Sequence, residues 1–193
     1  MNNYLKYLFR AIFYYPADFF YYLLSFKKKY GISFGGYQIS KQYPDYLSSH
    51  NAKRGIESFA FKFVKGNSID IGAGPCPLPG TRGIDNSAHE NAYKIKEENN
   101  SVDFVFSSHC FEHLETPENS MKEVKRILKK DGHFLLYLPH PACELWSKKV
   151  NENHVSFFWP HEWEVLLINQ GFQVKNMTYQ PDGMMSFFIL ATF

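Results

Sequence analysis

Asp70-Ile71-Gly72-Ala73-Gly74-Pro75-Cys76-Pro77-Leu78-Pro79-Gly80 is the stretch on which the reading of this chain turns. A short apolar run ends in a carboxylate, and two glycines one residue apart follow it. Glycine lacks a Cβ, so Gly72 and Gly74 can take backbone angles closed to other residues and let a ligand lie directly on the main chain. A second short apolar run, Gly83-Ile84-Asp85, also ends in an acid. In an open sheet of parallel strands, an acid at the end of the second strand is where a ribose diol is held. The pair points to a nucleoside ligand.

The residues after the glycines narrow the choice. A dinucleotide site needs a third glycine and a helix whose free N–H groups hold the pyrophosphate. Cys76 occupies the third glycine position, and Pro77 and Pro79 each remove a donor and delay any helix to about Gly80. The phosphate cradle is missing. S-adenosylmethionine has a ribose and an adenine but no phosphate, and its methionine end fits along Gly72 to Gly74.

Outward from this stretch the pattern alternates strand and helix. Strands are expected over 68–71, 82–85, 102–107 and 133–138, with a short third strand over 92–95. Helices are expected over 52–64, where Ile56, Phe59, Ala60 and Phe63 recur at helical spacing, and over 117–130 and 160–170. Segments 172–179 and 184–192 flank Gln180-Pro181-Asp182-Gly183, a strong turn signal, and read as a closing hairpin. The fold class is therefore α/β: a Rossmann-like, doubly wound, mostly parallel sheet with an antiparallel C-terminal strand hairpin, plus N-terminal helices. Residues 52–193 form the ligand-binding domain, and residues 1–51 an aromatic-rich helical extension with a gate or linker. Lys53 and Arg54 read as a solvated helix face, or as contacts to an acidic substrate.

Three blocks carry a family likeness. Ser68-Ile69-Asp70-Ile71-Gly72-Ala73-Gly74, Ser101-Val102-Asp103-Phe104-Val105-Phe106-Ser107-Ser108-His109-Cys110-Phe111-Glu112-His113-Leu114 and Glu123-Val124-Lys125-Arg126-Ile127-Leu128-Lys129-Lys130-Asp131-Gly132-His133-Phe134 resemble class I S-adenosylmethionine-dependent methyltransferases over about residues 66–193. The resemblance implies S-adenosylmethionine as cofactor and S-adenosylhomocysteine as product. It implies Asp70, Gly72, Ala73, Gly74, Asp85, Asn86, Asn91 and Ser108 as cofactor contacts. Asn91 stands where the family usually has an acid, with Glu90 adjacent, and an amide oxygen can still accept from the adenine amino group. Pro77-Leu78-Pro79-Gly80 followed by Gly83-Ile84-Asp85 resembles a compact bacterial group associated with cell-surface polysaccharide synthesis, in which the first crossover helix is shortened. That likeness implies a small or glycan-like acceptor.

Ligands in open α/β sheets bind beyond the carboxyl ends of the strands, which selects His109, His113 and His140 as candidate catalytic bases. Each has a plain alternative, a ring bonded to loop backbone; for His113 this alternative is favoured, because the family also has Glu-His at this turn. His154 and His161 flank Phe157-Phe158-Trp159-Pro160, an aromatic loop expected over the acceptor pocket. No metal is expected. His109 and His113 have helical spacing, but no Glu follows the first His directly, and Cys76, Cys110 and Cys143 form no Cys-x-x-Cys pair.

At 193 residues with 45% hydrophobic content, the chain can bury one substantial core. A formal net charge of +2 gives no nucleic-acid footprint. Three scattered cysteines argue for a reducing, cytoplasmic setting. In residues 1–30 an almost all-round aromatic and aliphatic surface is broken by Lys6, Arg10, Pro16 and Asp18, which argues against a membrane span and a cleaved leader. That segment reads as a lid or homodimer contact packed on the domain. The other reading is a peripheral anchor on the inner face of a membrane. A non-catalytic binding or scaffolding role for the same fold is the rival to catalysis.

Overall fold

The computed structural model describes residues 52–87, 89–143 and 146–193. The readings made for residues 1–51 lie outside it. Six strands form one sheet: β1 (Ser68–Ile71), β2 (Arg82–Ile84), β3 (Val102–Ser108), β4 (Leu128–Pro139), β5 (Gln173–Met177) and β6 (Ser186–Thr192). Their order is β2-β1-β3-β4-β6-β5. β2, β1, β3 and β4 run parallel, and β6 pairs antiparallel with both β4 and β5. The expected parallel sheet with an antiparallel closing hairpin is what forms.

Period-two alternation sorts the side chains onto two faces. Ile69 and Ile71 of β1, Leu136 and Leu138 of β4 and Phe187, Ile189 and Ala191 of β6 join one cluster. Helix α2 (Pro117–Ile127) covers it with Met121, Val124 and Ile127, and helix α3 (Pro160–Asn169) with Trp163 and Leu167. Phe104 and Phe106 of β3, Leu135 and Tyr137 of β4 and Leu190 of β6 point the other way. Ile56 and Ala60 cover them from the segment that holds the four-residue helix α1 (Glu57–Ala60). Among the described residues no helix is long and apolar enough to cross a membrane.

Three expectations change. The helix over 52–64 is instead a 3-10 turn, Ala52–Gly55, followed by the short α1. The helix over 117–130 stops at Ile127, because Leu128 is already extended and opens β4, whose register against β3 shifts between Val102 and Phe104. The third strand over 92–95 is absent, and only a single bridge joins Asn91 to Lys94. Polar anchors hold this loop where a strand was expected. Arg82 binds Glu90 and Glu97, each at 2.8 Å. Arg126 of α2 donates to the carbonyls of Ile95 and Glu97 at 3.0 and 2.8 Å, and Glu123 accepts from the Ile95 N–H at 2.9 Å.

Arg126 thus does for this loop what a ladder would do for a strand. Arg126→Ala is expected to destabilise the fold by about 1–3 kcal/mol, the usual range for hydrogen bonds made by a charged group. Amide hydrogen exchange should accelerate over residues 90–101 and stay slow in β1; uniform acceleration would mean that the loop is not anchored separately.

Candidate active site

The parallel strands deliver their carboxyl ends to one edge, and two adjoining cavities open there. The first, of about 260 Å³, is lined by Lys53, the backbone from Gly72 to Cys76, Ser108, His109, Glu112, His113, Trp146 and His154, with Asp70 at its base. The second, of about 430 Å³, has Asp85, Asn86, Asn91 and Tyr93 on one side and Cys110, Leu114 and Glu115 on the other. Gly72, His109 and His113 border both.

Gly72 and Gly74 have φ of +77° and +54°, the left-handed region that favours glycine. A Cβ on Gly72 would lie 2.4 Å from Cβ of Cys110, whereas one on Gly74 would meet nothing within 4 Å. Gly72 therefore closes the loop after β1 onto the turn after β3, and Gly74 leaves open space. Asp70 is buried beneath them and accepts the Leu78 N–H at 2.8 Å. Burial raises its carboxyl to about 7, with the Leu78 amide and the Lys53 charge pulling only partly against this. Lys53 is itself buried and donates to the Cys76 carbonyl, so it is neither a solvated face nor a free surface cation.

Beyond β3 the backbone turns at His109, a non-glycine residue with φ of +49°. A 3-10 turn, Phe111–His113, then points Glu112 inward. Glu112 is 1% exposed and neither carboxylate oxygen has a hydrogen-bond partner. Oε1 lies 3.5 Å from Nδ1 of His109 and 3.8 Å from Nε2 of His113. Desolvation raises the Glu112 carboxyl to about 8. Ser108 Oγ is likewise buried without a partner. The His109 ring packs edge-on against Tyr137 and Trp146, bonds Ser186 Oγ at 2.9 Å through Nε2, and is driven down to about 3 by burial. His113 is 39% exposed and its Nδ1 meets the Asn153 carbonyl at 3.0 Å.

The three histidines picked out as bases do not come together. His109 and His113 line the cavities, but His140 lines neither of the two. Its Nε2 faces the Tyr179 carbonyl at 2.9 Å and its Nδ1 accepts the Ala142 N–H at 3.0 Å, so both ring nitrogens are held by backbone. Asp70, Gly72, Ala73, Gly74 and Ser108 line the first cavity, and Asp85, Asn86 and Asn91 the second. The Asn91 amide oxygen already accepts the Tyr93 N–H at 2.9 Å. Sequence reasoning passed over Glu112 and Trp146, and gave His154 only a place beside the loop expected over the acceptor pocket. The Glu-His dipeptide after a strand was the signal for the first. Nothing local marks the others, because the loop bearing them is docked by Ser156, which bonds the Glu112 and Leu114 carbonyls at 2.9 and 2.6 Å.

A family model for the methyltransferase domain matches residues 29–136. The chain belongs to the methyltransferase-domain family. This agrees with the class I S-adenosylmethionine-dependent resemblance of the three sequence blocks and makes the protein a methyltransferase rather than a scaffold. Among solved structures, an S-adenosylmethionine-dependent methyltransferase from Thermotoga maritima is 20% identical, covering 77% of this chain and 93% of its own, with a TM-score of 0.61. Geranyl diphosphate C-methyltransferase from Streptomyces coelicolor, solved with Mg2+, geranyl diphosphate and S-adenosyl-L-homocysteine, is 10% identical, covering 79% and 85%, with a TM-score of 0.54. At these identities the likeness is one of fold. No curated protein matches this methyltransferase.

The buried Asp70 makes stability depend on pH. Its carboxyl ionises near the ordinary 3.8 in the unfolded chain and near 7 in the fold. Between those values the folded state keeps a proton that the unfolded state has lost, so stability falls as pH rises through this window. Asp70→Asn is expected to stabilise the ligand-free methyltransferase more at pH 8 than at pH 5, with a full effect on the order of 2–4 kcal/mol. Urea unfolding at the two pH values measures it, and a pH-independent difference would refute the raised carboxyl.

Proposed function

We propose that this methyltransferase carries a methyl group from S-adenosylmethionine to a hydroxyl-bearing small molecule of glycan-like character. The observation that carries the proposal is that two cavities of different chemistry meet at Gly72, His109 and His113. The adenosine end belongs in the second cavity, with the ribose diol on the exposed Asp85 and the adenine beside Asn91 and Tyr93. The methionine end follows the open backbone at Gly74 towards the unpartnered Ser108 Oγ. The sulfonium then lies at the shared border and its methyl faces the first cavity.

There the cavity wall combines the buried Trp146 with Asn151, Glu112 and the histidines, a mix of apolar and polar groups suited to a hydroxylated ring. The acceptor oxygen attacks the methyl carbon in line, the C–S bond breaks, its electron pair stays on sulfur, and S-adenosylhomocysteine leaves. The enzyme's main task is alignment within near-attack distance. The acceptor proton leaves through the first cavity, past His109 and His113, to solvent. The cytoplasmic reading rests on three cysteines that are all unpaired. Residues 1–30 remain, on the sequence reading, a lid, a dimer contact or a membrane-surface contact.

Calorimetry with S-adenosylmethionine, S-adenosylhomocysteine and NAD tests the cofactor assignment. The first two should bind and NAD should not; tighter binding of NAD would overturn it. Asp85→Ala should weaken S-adenosylmethionine by about 1–3 kcal/mol. Gly74→Leu adds a Cβ that meets no protein atom within 4 Å, at the cost of strain from the φ of +54°, and should abolish binding, with circular dichroism checking that the variant folds. Gly72 is the poorer probe, since any side chain there collides with Cys110.

A further inference from the structure

We propose that Glu112, His113 and His154 form a binding site for a divalent transition-metal cation of the zinc type, with its open positions facing the acceptor cavity. The three offer one carboxylate oxygen and two ring nitrogens, all within 4.8 Å of one another. A tetrahedral zinc with bonds of about 2.0–2.1 Å holds its donors roughly 3.3 Å apart, so modest side-chain rotations close the set. The half-exposed His113 has room for them. Two imidazoles and a carboxylate are also the donor set of catalytic zinc sites that keep a fourth position open.

Two independent features favour a cation over a chance cluster. Glu112 is buried and aimed into the cavity, and neither of its oxygens has a hydrogen-bond partner. A buried carboxylate in that state is unfavourable, and a bound cation supplies the missing partner. The two rings are set for ligation as well. His113 Nδ1 lies 3.0 Å from the Asn153 carbonyl and His154 Nδ1 lies 2.6 Å from the Trp146 carbonyl. A carbonyl only accepts, so each Nδ1 carries the hydrogen and each Nε2 keeps its lone pair. A backbone carbonyl behind the ring is the usual outer support of a metal-binding histidine. The expectation of no metal rested on the spacing of His109 and His113. Here His109 is engaged with Ser186, and the second histidine comes from the loop that Ser156 docks.

The site deepens the methyl-transfer reading and rests on it. A cation there takes the acceptor oxygen and lowers the pKa of its hydroxyl, and the released proton goes to solvent before the oxygen attacks the methyl carbon.

The test uses the full chain stripped with a chelator and then titrated separately with Zn2+, Co2+, Mn2+ and Mg2+ by calorimetry. S-adenosylmethionine affinity is measured in parallel. The expected result is one equivalent of Zn2+ or Co2+, with Co2+ giving the visible bands of a low-coordinate nitrogen and oxygen site. Glu112→Gln and His113→Ala should each weaken that binding at least about tenfold, with circular dichroism and thermal unfolding certifying the fold. Absence of a stoichiometric site in the native chain, or equal metal binding by both variants, overturns the site while leaving methyl transfer standing. Loss of S-adenosylmethionine binding in the native chain overturns the underlying reading instead.

Discussion

The missing Cβ of Gly72 is the constraint on which the candidate site depends. With a side chain there, the loop after β1 and the turn after β3 would have to part, because Cys110 already occupies the space. Bringing them together puts the Gly72–Gly74 backbone against His109–His113, so that two cavities share a wall. The Gly72 N–H also bonds the Ile84 carbonyl at 2.7 Å, which ties the same loop to the end of β2 and brings Asp85 alongside. One backbone position thus sets the relation between three strand ends.

Around that position the protein keeps buried polar groups that ordinary folding would leave in water or fully paired. Asp70 and Glu112 are buried carboxyls with raised pKa, Ser108 Oγ has no partner, and His109 sits at a positive φ. Each is locally unfavourable, and together they concentrate at one edge of the sheet, where strain and perturbed ionisation mark function. The apolar interior shows none of this tension. Apart from the register shift between Val102 and Phe104, its strands alternate between the face covered by α2 and α3 and the face covered by α1.

This division also explains what could be read from the sequence. β1, β2, β3 and the closing hairpin were legible because period-two alternation and glycine or proline turns are local signals. The third strand was not, since Ala92 and Ile95 look apolar enough for a ladder, while the decisive contacts come from Arg126 and Glu123 on α2. The glycine loop and Asp85 were legible for the same local reason. At His140 a strand end gives the edge of the sheet but not the direction of the ring, which turns Nε2 to the Tyr179 carbonyl. His154 became part of the site only through Ser156, a tertiary contact with no sequence signature.

The charge balance of the proposed reaction gives the cluster around Glu112 a definite place. A sulfonium cation and an oxygen nucleophile lose charge as the methyl moves, so a dry cavity favours the transition state over the separated ions. Uncompensated carboxylates beside the sulfonium work against this, because they stabilise the cation most strongly before reaction. Asp70 lies below the glycine loop, where in the proposed reaction an anion would help to hold the cofactor. Glu112 lies on the acceptor side, where the same anion would retain the sulfonium in its ground state. Neutralising Glu112, by a proton or by a metal cation, removes that retention and turns the residue towards activating the acceptor. In the proposed reaction two acids of similar burial thereby take opposite roles, one gripping the donor and the other preparing the nucleophile.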